Sequence, residues 1–210
     1  MVTMALQLRV MSATSEILAL NAAEAARQNL DPARTALVVI DIQEKLLPPI
    51  HEAARLLRNA RLLLRLAGLL DLPVLATTQY ARGLGGTVPE IAELLPRSTA
   101  VLDKLEFSCF GSDEFCSASA MLPDREQLLI CGMETHICVA QTTLAALNRG
   151  YIVHLAADAV GSRSEFNWRV GLERMRSAGA VISSTEMAIY ELLRASGTAE
   201  FKQMLPWLKG

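Results

Sequence analysis

Aromatic residues make up only 5% of this 210-residue chain, histidine occurs three times and cysteine four times. The cysteines, at 109, 116, 131 and 138, show no Cys-x-x-Cys spacing, and no His-x-His pair accompanies them, so the common zinc frameworks find no match. There is no long hydrophobic run. The most apolar stretch, residues 62–75, is interrupted by Arg65, Asp71 and Pro73, and falls short of what a bilayer requires. There is no excess of basic charge either: 20 Lys plus Arg face 22 Asp plus Glu, a net charge of −2, with no basic run to grip a phosphate backbone. Neither a membrane nor a nucleic-acid partner is expected. Eight prolines and twelve glycines are too few for a disordered chain. The N-terminal stretch has no basic flank before an apolar block and carries Glu16 and Glu24, unlike a signal peptide, so the expected location is cytoplasmic. Unpaired thiols are the default there, and each cysteine is packing or chemistry.

What is present is a large apolar fraction, 51%, in a chain of 22.8 kDa, enough to bury the core of one domain without staples. Short β-branched runs alternate with longer amphipathic ones, the signature of βαβ units. Strands are predicted at 36–40 (ALVVI), 73–78, 100–103, 127–131 (QLLIC), 151–155 and 180–183. Helices are predicted at 51–70, 89–95, 134–148, from a Ser162/Glu165 capping box to Gly179, and at 186–193 and 201–208. Arg55, Arg58, Arg61 and Arg65 recur along one stripe of the first of these and read as a solvated face. The expected architecture is α/β: a three-layer, doubly wound sheet of about six parallel strands with helices on both faces. An Ala-rich helix at 15–28, ended by Asp31-Pro32, falls outside the repeating pattern, giving an extension at 1–30 and a domain at 31–210.

Open parallel sheets bind ligands beyond the carboxyl ends of their strands. Three residues there differ in chemistry: Asp41 directly after ALVVI, Lys104 directly after AVLD, and Cys138 near the start of the helix after QLLICG. A helix start favours thiolate, so Cys138 is a candidate nucleophile, whereas Cys131 lies among Leu and Ile as a small hydrophobe. Cys109 and Cys116 flank Phe110 and Phe115 and read as packing. His136, two residues from Cys138, points elsewhere on a helix. Gln79, Tyr80 and Phe107, which follow strand ends, are candidates for the wall of a substrate pocket.

The segments ALVVIDIQEKLLP, TTQYARGLGGTVPEI, LDKLEFSCF, CGMETHICVAQTTLAALNRGY and DAVGSRS resemble the isochorismatase-like cysteine hydrolase superfamily, most closely the isochorismatase domain-containing branch, over about residues 31–193. The resemblance implies a catalytic triad at Asp41, Lys104 and Cys138, with a cis peptide joining Met133 and Glu134. It further implies an oxyanion hole from the N–H groups of Glu134 and Cys138, and self-association as a dimer or tetramer. Family members that hydrolyse nicotinamide bind a metal through Asp-x-His and a further His after the second strand. This chain has TTQY at 77–80, so neither metal nor cofactor is expected. True isochorismatases lack the cysteine that stands here at 138. The expected activity is hydrolysis of a small amide or related carbonyl compound through a thioester. The alternatives are a silent binding or assembly protein, and an ether hydrolase with Asp41 as acid.

Overall fold

The structure is a computed structural model that describes residues 29–122 and 124–209. The helix expected at 15–28 lies outside the described residues. Six strands, β1 (Thr35–Ile40), β2 (Val74–Gln79), β3 (Val101–Lys104), β4 (Gln127–Met133), β5 (Ile152–Gly161) and β6 (Val181–Ser183), form one sheet in the order β3-β2-β1-β4-β5-β6, parallel throughout. Every residue of β1 and β4 is buried, as a strand covered on both faces must be, which is why these two read as unbroken apolar runs.

The helices are α1 (Ala53–Leu69), α2 (Ala81–Leu84), α3 (Pro89–Ala92), α4 (Asp113–Ala120), α5 (Ala140–Leu147), α6 (Glu165–Ser177), α7 (Thr185–Leu193) and α8 (Ala199–Leu208). Strand alternation divides the core. Val38, Ile40, Leu128, Ile130, Val153 and Leu155 pack with Phe115 of α4, Ala146 of α5 and Met175 of α6. On the opposite face α1 packs against β5, α7 and α8. Among the described residues no helix is long and apolar enough to cross a membrane.

Local structure departs from the sequence pattern in four places. The capping serine of α6 is Ser164, whose Oγ accepts the Asn167 N–H at 3.3 Å, and not Ser162. β5 runs on to Gly161 beside a register shift between Ile130 and Gly132, so Ser162 is still leaving the strand. The short α4 escapes the periodicity, although Ser112 caps it through the Phe115 N–H and Asp113 and Glu114 favour its positive end. The helix expected from 134 begins instead as a π-helical turn, Thr135–Val139. Finally, two arginines of α1 lie over rings rather than in solvent: Arg55 is 5.3 Å from the Trp168 centroid and Arg65 is 4.5 Å from that of Trp207.

Gly132 of β4 adopts φ +122°, and a Cβ there would lie 2.0 Å from the Ile40 carbonyl oxygen. Only glycine lets β4 pass this close to β1.

His154 of β5 is fully buried, and neither ring nitrogen has a hydrogen-bond partner. Burial lowers its pKa from 6.5 to about 4. The folded state therefore binds this proton less readily than the unfolded chain, and stability falls as pH drops from 6.5 toward 4. Relative to His154→Leu, the unsubstituted chain is expected to lose about 2–3 kcal/mol between pH 7 and pH 4.5, a difference read by urea denaturation at both values.

Candidate active site

The strand order reverses at β1, with β2 and β3 on one side and β4, β5 and β6 on the other, so the crevice beyond β1 and β4 is where such a sheet accepts a ligand. Asp41 directly follows β1. In a regular strand its side chain would point to the face opposite Ile40 and Thr77, which are register partners. It takes φ 52° instead, a left-handed conformation rare outside glycine, which breaks the alternation. The carboxylate is thereby brought to Thr77, whose hydroxyl donates to Oδ1 at 2.7 Å. The other oxygen, Oδ2, accepts from the Lys104 ammonium at 2.6 Å. Lys104 ends β3, two strand spacings or roughly 10 Å from β1, and its long stem reaches back across β2 to make this bond. Asp41 and Lys104 side chains are 0% and 1% exposed.

Gln79, paired with Lys104 in the sheet register, links Lys104 to Cys138: its Oε1 accepts from Lys104 Nζ at 2.7 Å and stands 4.0 Å from Cys138 Sγ. Burial, the largest influence on Lys104, opposes its charge, but Asp41 and then Cys138 outweigh it and hold the ammonium pKa above the ordinary lysine value.

Cys138 sits in the π-helical turn after β4, where the Glu134 carbonyl accepts the Ile137 and Val139 N–H groups at 3.0 and 3.2 Å, on either side of it. The environment of Cys138 acts against the thiolate expected at a helix start. Burial first, and the Asp41 carboxylate second, push the Cys138 thiol up to about 12, more than offsetting Lys104.

The peptide between Met133 and Glu134 is cis. The Glu134 carboxylate turns to Arg163, accepting its backbone N–H at 3.0 Å and its Nε–H at 3.1 Å. His136 pairs through Nδ1 with Ser162 Oγ at 3.0 Å. Of the three residues expected in a pocket wall, Gln79 is buried inside the polar cluster, while Tyr80 and Phe107 are 48% and 53% exposed.

Sequence reasoning misses three residues. Thr77 holds Asp41. Gln43, fully buried, accepts the Gln79 N–H at 2.7 Å and donates to the carbonyls of Gln79 and Gly85 at 3.0 and 2.7 Å. Cys109 Sγ lies 3.9 Å from Thr77 Oγ1, beside the Asp41–Lys104 pair, with its thiol pushed up to about 11 by burial. The polar run TTQ ending an otherwise apolar strand is the available signal for Thr77 and Gln79. Among the described residues no three His, Cys, Asp or Glu side chains are grouped to hold a metal.

Residues 35–187 match the model of the isochorismatase domain. The chain is 37% identical to the secreted isochorismatase effector Isc1 of Phytophthora sojae, over 91% of this chain and 92% of that protein. It is 34% identical to mouse isochorismatase domain-containing protein 2B, over 90% and 88%. Among solved structures, the MAR1 ribonuclease of Caenorhabditis elegans superposes with a TM-score of 0.81 at 33% identity, covering 87% of this chain and 93% of that one. YcaC from Pseudomonas aeruginosa, solved with hexane-2,5-diol and covalent acrylamide, gives 0.80 at 27% identity, covering 85% and 91%. Its Escherichia coli counterpart, an octameric hydrolase of unknown specificity, gives 0.80 at 27%, covering 85% and 90%. A buried Asp–Lys pair and a thiol at the carboxyl edge of a six-stranded parallel sheet thus occur in a chain that belongs to the isochorismatase family.

Proposed function

We propose that this chain is a cysteine hydrolase of small amides or related carbonyl compounds, with Cys138 as nucleophile, Asp41 as proton acceptor and donor, and Lys104 as their electrostatic partner. The observation that carries this reading is the convergence of the Cys138 thiol and of Lys104, paired with buried Asp41 at 2.6 Å, on one oxygen of Gln79. A thiol raised to about 12 attacks only if its proton leaves as the bond forms, and Asp41 is the base beside it.

In the first step Sγ bonds to the carbonyl carbon, the S–H proton passes to Asp41 and the carbonyl electrons move onto oxygen. The N–H groups of Glu134 and Cys138 are the proposed donors to that oxygen, a role worth about 10²–10³ in rate per donor. Collapse breaks the C–N bond as Asp41 returns the proton to nitrogen, leaving a thioester. Water, deprotonated by Asp41, then releases the acid and restores the thiol. No cofactor enters. The octameric state of Escherichia coli YcaC supports self-association of this chain as well. A ribonuclease reading, carried by the description of the Caenorhabditis elegans neighbour, meets a net charge of −2 with no basic run.

The test is an intact-mass measurement after the full-length protein is mixed with a panel of small amides and acid-quenched. The expected result is an added acyl group, with the amine lost, mapped to Cys138. Turnover of an amide by both the unsubstituted chain and Cys138→Ala, with no acyl adduct, would overturn the proposal.

A further inference from the structure

The buried side-chain amide of Gln79 makes three hydrogen-bonding contacts and its backbone makes two more with Gln43, more than a pocket wall requires. Its Nε2 donates to the Leu105 carbonyl at 2.7 Å, which fixes the orientation of the amide and leaves Oε1 facing inward. That oxygen accepts from Lys104 Nζ at 2.7 Å and lies 4.0 Å from Cys138 Sγ. The Gln79 backbone is in turn clamped on both its N–H and its carbonyl by the fully buried Gln43 side chain. Both the backbone and the amide that carry Oε1 are thus tied to the cluster.

We propose that Gln79 is a positioning residue that divides the donors of Lys104: its fixed oxygen engages one ammonium hydrogen, Asp41 engages a second, and a single one remains for the sulfur and the atoms that react there. The ammonium has only three N–H groups. An oxygen acceptor at this place also favours S–H over thiolate, so Gln79 keeps Cys138 protonated until Asp41 takes the proton during attack. This inference rests on the proposed hydrolase reading for its purpose, but its physical content concerns Lys104 and the sulfur alone.

The role predicts opposite effects from two substitutions of similar shape. Gln79→Met removes the acceptor and releases an ammonium hydrogen toward sulfur. Gln79→Glu places a negative charge beside both Lys104 and Cys138. A purely structural role would loosen the site in both variants and move them the same way. The measurement is the rate of Cys138 alkylation by iodoacetamide in the full-length protein between pH 7 and 9, quantified on the Cys138 peptide by mass spectrometry. The expected result is a rate about tenfold higher in Gln79→Met and about tenfold lower in Gln79→Glu, one unit of thiol acidity in each direction. Gln79→Asn, one methylene too short to reach Lys104, is expected to follow Gln79→Met. Rates that move in the same direction in Gln79→Met and Gln79→Glu, or stay within twofold of the unsubstituted chain in both Gln79→Met and Gln79→Asn, would overturn the proposal. Alkylation needs no turnover, so this result is independent of whether the chain hydrolyses any amide.

Discussion

Turnover of any accepted amide is expected to fall by about 10⁴- to 10⁶-fold in Cys138→Ala, with the fold preserved. The side chain lost is small, and its removal leaves the Asp41–Lys104 pair with its own hydrogen bonds to each other, Thr77 and Gln79. The loss therefore reports chemistry rather than unfolding, which circular dichroism on the same sample verifies. The substitution also separates the two hydrolytic mechanisms. An ether hydrolase that uses Asp41 as acid retains its activity without sulfur, while a thioester route does not. Cys138→Ser keeps the geometry but replaces a polarisable sulfur with a weaker nucleophile, so its turnover is expected to fall almost as far. Trace acyl adducts on the introduced hydroxyl in the quenched sample would show that the position, and not only the sulfur, faces the substrate.

Lys104→Met is the substitution with the largest expected effect on stability, a loss of about 3–5 kcal/mol. The mechanism is desolvation. Asp41 is wholly buried, and without the ammonium its carboxylate keeps only the Thr77 hydroxyl as a strong donor. Breaking one side of a buried pair costs more than the pair contributes as a unit, because the remaining charge has no water to return to. The double substitution Asp41→Asn/Lys104→Met removes both charges and is expected to recover most of that loss while abolishing the proposed amide turnover. Urea denaturation of the two single variants and the double variant completes the cycle. A loss in the double variant equal to the sum of the two single losses would show that the pair is not coupled.

The strand-end rule brings Asp41, Lys104 and Cys138 to one edge of the sheet from sequence, because long apolar runs declare buried parallel strands and the first polar residue after each marks its end. The helices follow from 3.6-residue periodicity where they are long, as in α1 and α6. What escapes depends on contacts remote in sequence. Gln43 reaches Gln79 across 36 positions, and nothing in the local pattern DIQEK shows that its amide grips a neighbouring strand. Thr77 is a β-former in a β-strand, so its bond to Asp41 leaves no trace in composition. The protonation state of Cys138 is illegible for a related reason. A helix dipole can be inferred from sequence, whereas the burial and the adjacent carboxylate that raise the thiol belong to the assembled site.

The close approach of β4 to β1 at Gly132 has a mechanical consequence. Asp41 begins one residue beyond Ile40, and the turn carrying Cys138 leaves β4 at Met133, so the proposed base and the proposed nucleophile are mounted on two strand ends pressed together where a methyl group has no room. On the proposed mechanism, the distance between Asp41 and the sulfur is set when the chain folds, so the binding energy of a substrate need not be spent on bringing these two groups together and remains available to the transition state.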